Sequence, residues 1–243
     1  MIEIIFNDIH VPNHDRRAIN MLCEVIRKVK PDIITCLGDL VDCYTISRFE
    51  KDPRRKLTLG HEIVTARNIL KEIAGAAPKN IRLIFHGGNH EDRLRKYVWG
   101  KCPDLACLPE LSWPTLLHLS TSGWKYIPYE TPFRIGGLWH HHGDVIRTRS
   151  GYTARALIDK VGGSAVCGHT HRLAHIHRTT WTSHMEGWEN GCLCKLKANY
   201  ILGRPDWQQG FCIVTYKKQG QFKVQQIHIH KGKCWLNGER ISK

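Results

Sequence analysis

Five times along this chain, an apolar run long enough for one β-strand ends in a turn that carries Asp, Asn or His. No other feature limits the fold so strongly. The turns are Asp8-Ile9-His10, Gly38-Asp39-Leu40-Val41-Asp42, Gly88-Asn89-His90-Glu91, His140-His141-His142-Gly143-Asp144 and Gly168-His169-Thr170-His171. In an α/β sheet, ligands bind outside the carboxyl ends of the strands. Turns spread along the first two thirds of the sequence can therefore converge on one pocket.

The intervening segments fit that arrangement. Glu3 to Asn7 reads as a buried strand, and Asp15 to Val29 as an amphipathic helix with Ile19, Leu22, Ile26 and Val29 at spacings of three and four. Ile33 to Leu37 gives a second strand and Ile81 to Phe85 a third. Between them, Thr58 to Ala76 forms a helix with Ile63, Ala66, Leu70 and Ile73 on one face. This order predicts a mainly parallel sheet covered by helices. The proline-rich stretch from Cys102 to Pro132 predicts a helical and loop insertion, at about 100–132, near the mouth of the site. A strand at Leu138 to His141, a helix at Tyr152 to Val161 and a strand at Ser164 to Cys167 follow. The C-terminal part reads as β: Phe211 to Tyr216, Phe222 to His230, and a hairpin turning at Asn237-Gly238. Residues 1–243 are read as one domain.

Imidazole, carboxylate and amide oxygen suit Mn, Fe, Zn or Ni, and no thiolate sits in the five turns to demand a softer ion. Asp-x-His and His-x-His pairs place both side chains on one side of an extended chain. Each segment alone is weak, but five in this order, each after a strand, form a specific pattern.

The pattern resembles the calcineurin-like metallophosphoesterase superfamily, whose motifs D-x-H, G-D-x-x-D, G-N-H-E/D, a later His-Gly and G-H-x-H all occur between residues 8 and 171. The resemblance implies a four-layer αββα sandwich with two divalent metal ions at its crest, taken first as Mn2+, with Fe, Zn or Ni as alternatives. It implies that Asp8, His10 and His171 hold one ion, that Asn89, His142 and His169 hold the other, and that Asp39 bridges them. His142 is chosen because it directly precedes Gly143; His140 and His141 remain open in its place. His90 matches the family's general acid, the other reading being that it only orients the site. Such a centre hydrolyses phosphate esters through a metal-bridging hydroxide. Two departures stand out. Cys43-Tyr44 follows Asp42 where the family's protein phosphatases have Arg-Gly, and Asp144 stands where many nucleases and phosphodiesterases have a second His.

Thirty-six Lys and Arg against 22 Asp and Glu give a net charge of +14, and such a surface favours polyanions. The leading expectation is therefore a nuclease or phosphodiesterase acting on nucleic acid or nucleotides. The runner-up is a phosphomonoesterase acting on phosphoprotein or small metabolites. A nucleic-acid-binding module with a vestigial site is opposed by the retention of every motif position. The ten cysteines are read as reduced, the location as cytoplasmic, and no membrane partner is expected, because no apolar stretch is long enough to span a bilayer. Cys192-x-Cys194, with Cys102 or Cys107, offers a zinc site of unusual spacing, and small buried side chains are preferred. His175-x-His177 and His228-x-His230 are read as surface histidines on strands. Trp99, Trp113 and Trp124 serve either the core or base stacking. Arg147, Arg149 and Arg172 flank the turns but are left outside the catalytic set.

Overall fold

The computed structural model describes residues 1–197 and 205–242. Strand β1 (Ile2–Phe6) is central, and its Ile-Glu-Ile-Ile-Phe sequence is buried on both faces. Helix α1 (Arg16–Val29) starts where the Asp15 carboxylate accepts the Arg17 N–H at 2.8 Å, satisfying one of the donors a helix start leaves open. Strand β2 (Ile33–Leu37) runs parallel to β1. Helix α2 (Leu59–Gly75), capped by Thr58, leads to β3 (Arg82–His86), again parallel. Helix α3 (Asp92–Lys101), the short α4 (Trp113–Leu116) and strand β4 (Trp124–Ile127) follow.

Strand β4 corrects one expectation. The 100–132 segment is not only helix and loop, because β4 joins the sheet parallel to β3 with Trp124 opposite Leu83. Its four residues lie between prolines, too few to show an alternation. Trp113 and Trp124 are core residues and Trp99 is exposed.

Strands β5 (Phe133–Ile135) and β6 (Leu138–His141) open a second sheet. Helix α5 (Tyr152–Val161), β7 (Ala165–Cys167), β8 (Leu173–Thr179) and β9 (His184–Asn190) complete that half. The alternation at His175-x-His177 predicts one strand there, whereas the structure has a long hairpin. Strand β9 buries Glu189 and Asn190, and such polar content hides a strand from hydropathy. Strands β10 (Gln209–Tyr216) and β11 (Phe222–Ile229) return antiparallel beside β1, and β12 (Lys233–Leu236) with β13 (Glu239–Ser242) form the last hairpin.

The sheets are ordered β11-β10-β1-β2-β3-β4 and β5-β6-β7-β9-β8. Ile4, Phe6, Ile34 and Cys36 pack on Ile19, Leu22 and Ile26 of α1 and on Leu70 and Ile73 of α2. Ile5, Ile33, Leu37, Val166 and Trp188 fill the space between the sheets. Ala165 and Cys167 meet Ala154 and Ile158 of α5. These clusters define the four layers, helix–sheet–sheet–helix. No helix among the described residues is long and apolar enough to cross a membrane. All ten cysteines are free.

Candidate metal centre

The turns after β1, β2, β3, β6 and β7 meet at one edge of the sandwich. Asp8, His10, Asp39, His169 and His171 all have φ between +49° and +67°, a left-handed conformation that side chains other than glycine seldom adopt. Such backbone strain persists only where the surroundings enforce it, and it gathers at functional sites. Gly88 marks the closest approach, since a Cβ there would overlap the Asp39 carboxylate.

Each aspartate is held by one oxygen and presents the other. Asp8 Oδ2 accepts from Asn7 Nδ2 at 2.6 Å and from the His169 N–H at 2.8 Å. Its Oδ1 faces His10 Nε2 at 3.3 Å and His171 Nε2 at 3.2 Å. Asp39 Oδ1 accepts the His90 N–H at 2.9 Å. Its Oδ2 faces His142 Nε2 at 3.2 Å, and His10 Nε2 and His90 Nε2 each at 3.7 Å. Asp39 Oδ2 thus lies between two groups of donors. One comprises Asp8, His10 and His171; the other comprises Asp39, His142 and His169. Asn89 joins the second group, its Oδ1 lying 3.0 Å from His142 Nε2.

The chemistry of this donor set fits cations. His142 Nδ1–H donates to the Leu37 carbonyl at 2.7 Å, so in the neutral ring Nε2 is a lone pair. That lone pair points at the oxygens of Asp39 and Asn89. His10 Nε2 and His171 Nε2 approach to 2.9 Å beside Asp8. Acceptors gathered this closely are stable only around a positive charge, whether a proton or a metal ion. Burial disfavours the His142 imidazolium, yet the contact with Asp39 and the charge of Asp8 override it and raise the ring to about 10. For His171, burial is likewise overcome by Cys194 and Asp8, and the ring rises to about 10. Burial, with His142 adjacent, holds His169 down to about 4 and keeps its lone pair free.

All seven side chains singled out in the sequence as candidate metal ligands therefore come together, and the three consecutive histidines face different partners. His140 turns inward to Glu3, with Nε2 3.1 Å from Oε2. His141 stacks on Tyr129 and accepts the Gly143 N–H. His142 faces Asp39. His90 lies at the edge, its Nδ1 2.8 Å from the Asp42 carbonyl and 3.2 Å from Asp42 Oδ1.

Other contributors have roles that sequence reasoning did not assign. Glu91, fully enclosed, accepts the N–H groups of Gly88, Asp39, Leu40 and Val41, so its carboxylate fixes the path of the β2 turn. Arg93 donates to His90 Nε2 at 2.9 Å and to the Asp42 carbonyl at 2.7 Å. Trp207 sets its ring against His171 at a centroid distance of 4.2 Å. Helical spacing gives a hint of Arg93, one turn after His90. In the sequence Trp207 is one residue of an aromatic-rich tail weighed between packing and base stacking, with nothing to tie it to His171. Cys192 and Cys194 gather with His171 rather than with Cys102 or Cys107. Arg172 binds the Arg147 carbonyl at 2.8 Å.

The sequence profile of the calcineurin-like phosphoesterases matches residues 4–173. The chain is 26% identical to the Gene 54 protein of Mycobacterium phage D29 over 252 residues, covering 97% of this chain and 96% of that protein. The Gene 54 protein of Mycobacterium phage L5 is 25% identical over 248 residues, with the same coverage. Among solved structures, Vps29 from Cryptosporidium parvum superposes with a TM-score of 0.52 at 14% identity, covering 100% of this chain and 98% of that one. A single mutant of Vps29 from Entamoeba histolytica gives 0.51 at 12% identity, covering 99% and 98%. At such identities these two likenesses concern the fold alone.

Proposed function

This chain belongs to the calcineurin-like phosphoesterase family and is a hydrolase of phosphoric esters; on that premise we propose that it cleaves phosphodiester bonds in nucleic acid or nucleotides, using two divalent ions, Mn2+ first. Asp8, His10 and His171 would hold one ion, Asn89, His142 and His169 the other, with Asp39 shared. Bound there, the ions supply a Lewis acid for the phosphoryl oxygens and an acidified water as nucleophile.

The protein's own groups supply the rest. His90 is the proton donor to the departing oxygen, and Asp42 fixes its ring through Nδ1. Its Nε2 is held by Arg93. An incoming phosphate competes for that guanidinium, because paired charged hydrogen bonds to phosphate outweigh a bond to a neutral ring. Substrate binding thereby frees Nε2 to carry the proton. Burial holds the His90 imidazolium below its ordinary range, with Asp39 opposing, so the anionic substrate also favours the acid form.

One observation carries the diester reading: the rim of the site is basic and aromatic. Arg93 lies on His90, Arg55 is paired with Asp42 at 3.3 Å and sits over the Tyr44 ring, and Trp207 meets His171. Guanidinium groups suit a phosphate backbone and aromatic faces suit unstacked bases. The free cysteines accord with a reducing compartment, and we place the activity in the cytoplasm. The test pairs a nitrophenyl phosphodiester with its monoester under Mn2+, and adds labelled single- and double-stranded DNA and RNA. Cleavage of nucleic acid with diester preference is expected. Preference for the monoester, with nucleic acid untouched, overturns the reading in favour of a phosphomonoesterase.

A further inference from the structure

The β8–β9 hairpin holds a group of metal-ligating side chains that the crest does not use. Ile176 and Met185 of the hairpin pack toward α5, so the alternate residues face the other way. There His175 and His177 of β8 lie across from Trp188 and Glu186 of β9, in direct register. The inner end of this face is apolar, and Trp188 is buried between the sheets. Toward the tip the same face carries imidazoles and a carboxylate instead. Residues chosen merely to be wet would project apart, but these converge.

Glu186 is the hub. Its Oε2 is 2.7 Å from His175 Nε2 and 4.0 Å from His177 Nδ1, and its Oε1 is 3.7 Å from His184 Nε2. His177 Nδ1 and His184 Nε2 are 3.4 Å apart. One ligand atom each from His175, His177 and Glu186 falls within a sphere small enough for a single ion. His175 is braced by stacking on Trp188, at 4.7 Å and 11°, and His184 Nδ1 is engaged by the Thr179 hydroxyl at 3.2 Å. His175 Nε2, His177 Nδ1 and His184 Nε2 meet around the carboxylate. Sheet geometry, rather than a flexible loop, sets their spacing.

We propose that His175, His177 and Glu186, with His184 beside them, form a second metal site for a zinc-type divalent ion, which clasps the two strands of the hairpin near its tip. Three imidazoles and one carboxylate make a nitrogen-rich set suited to Zn2+, and their number matches tetrahedral coordination. The site shares no residue with the crest.

Metal-free protein is dialysed against Zn2+ and the bound zinc is counted for wild type, His177→Ala and Glu186→Gln. Each variant is expected to hold one equivalent less than wild type, while phosphoric ester hydrolysis under Mn2+ is unchanged. Loading with Co2+ instead should give a tetrahedral absorption component in wild type that the variants lack. If His177→Ala fails to fold, Glu186→Gln decides, since it keeps the size of the side chain. Equal zinc counts in wild type and in the folded variants overturn the proposal.

Discussion

The molecule buries two clusters of carboxylate and imidazole, and they differ in what their lone pairs meet. Between the sheets, Glu3 receives the hydroxyls of Thr35 and Tyr216 and faces His140. The other His140 nitrogen reaches the Leu138 carbonyl at 3.1 Å. Each Glu3 oxygen there has a hydroxyl donor, Thr35 on Oε1 and Tyr216 on Oε2. Burial raises the Glu3 carboxyl, but His140 and the two hydroxyls outweigh it and hold the group below its ordinary value. At the crest, Asp8 and Asp39 also face imidazoles, but there nitrogens and oxygens from several turns converge across 2.9 to 3.3 Å and need a proton or a metal ion between them. The backbone there is left-handed at five of the candidate ligand positions, whereas Glu3 and His140 lie in regular strands. The same residue types thus make a closed structural network in one place and an open cation receptor in the other.

The sharpest way to break this contrast is to neutralise one carboxylate in each cluster. Asp39→Asn removes the charge shared by the two ligand groups. Metal content should fall, and hydrolysis should drop by more than about a hundredfold, the scale on which even indirect partners of a metal act. Full metal loading and activity would show that Asp39 is no ligand. His90→Ala should leave metal content intact and slow hydrolysis of an ester with a poor leaving group by about a hundredfold or more, as loss of a general acid does. Undiminished turnover on that ester would leave His90 an orienting residue only. Glu3→Gln should do the reverse of Asp39→Asn. Metal content stays unchanged, while the broken pair costs about 3 kcal/mol of stability, read as a lower melting temperature. Loss of metal from Glu3→Gln would dissolve the distinction between the clusters.

Much of the crest could be read from the chain because its motifs are local. Asp8-x-His10 and His169-x-His171 carry their ligands two residues apart, and each follows an apolar run that announces a strand. Helices α1, α2 and α5 were legible, the first two from their apolar spacing, whereas α3 (Asp92–Lys101) was not read as a helix. What stayed hidden depends on contacts across long separations. Among His140, His141 and His142 the sequence favours the last only through the Gly143 that follows it, and only the pleat of β6, with Glu3 137 residues away, sends the first inward. Strand β4 was concealed by its length and flanking prolines. The hairpin histidines are exposed strand residues, as their alternation suggests, and only the β8–β9 register shows Glu186 among them. Trp207 reaches His171 from an aromatic-rich tail whose sequence does not say which turn it meets.

Another buried carboxylate sharpens the comparison with the smallest effect. Glu62 on α2 accepts the Cys43 N–H at 2.6 Å and a second amide from Tyr44, and Asp42 lies nearby. No imidazole takes part in holding it as His140 holds Glu3. Burial therefore prevails, and the group rises to about 7. The folded protein binds this proton more tightly than the unfolded chain, whose glutamates titrate near the ordinary 4.5. The resulting stabilisation is complete below that ordinary value and is lost as pH rises through about 7. Glu3, shifted the other way, contributes stability above the ordinary value that is lost on acidification. Glu62→Gln keeps an oxygen for the two amides and removes the titration. Its melting temperature should match wild type at pH 5 and exceed it modestly at pH 8, whereas the deficit of Glu3→Gln should widen from pH 4 to pH 7. Parallel melting curves for wild type and Glu62→Gln across pH 5 to 8 would mean that burial does not govern this carboxylate.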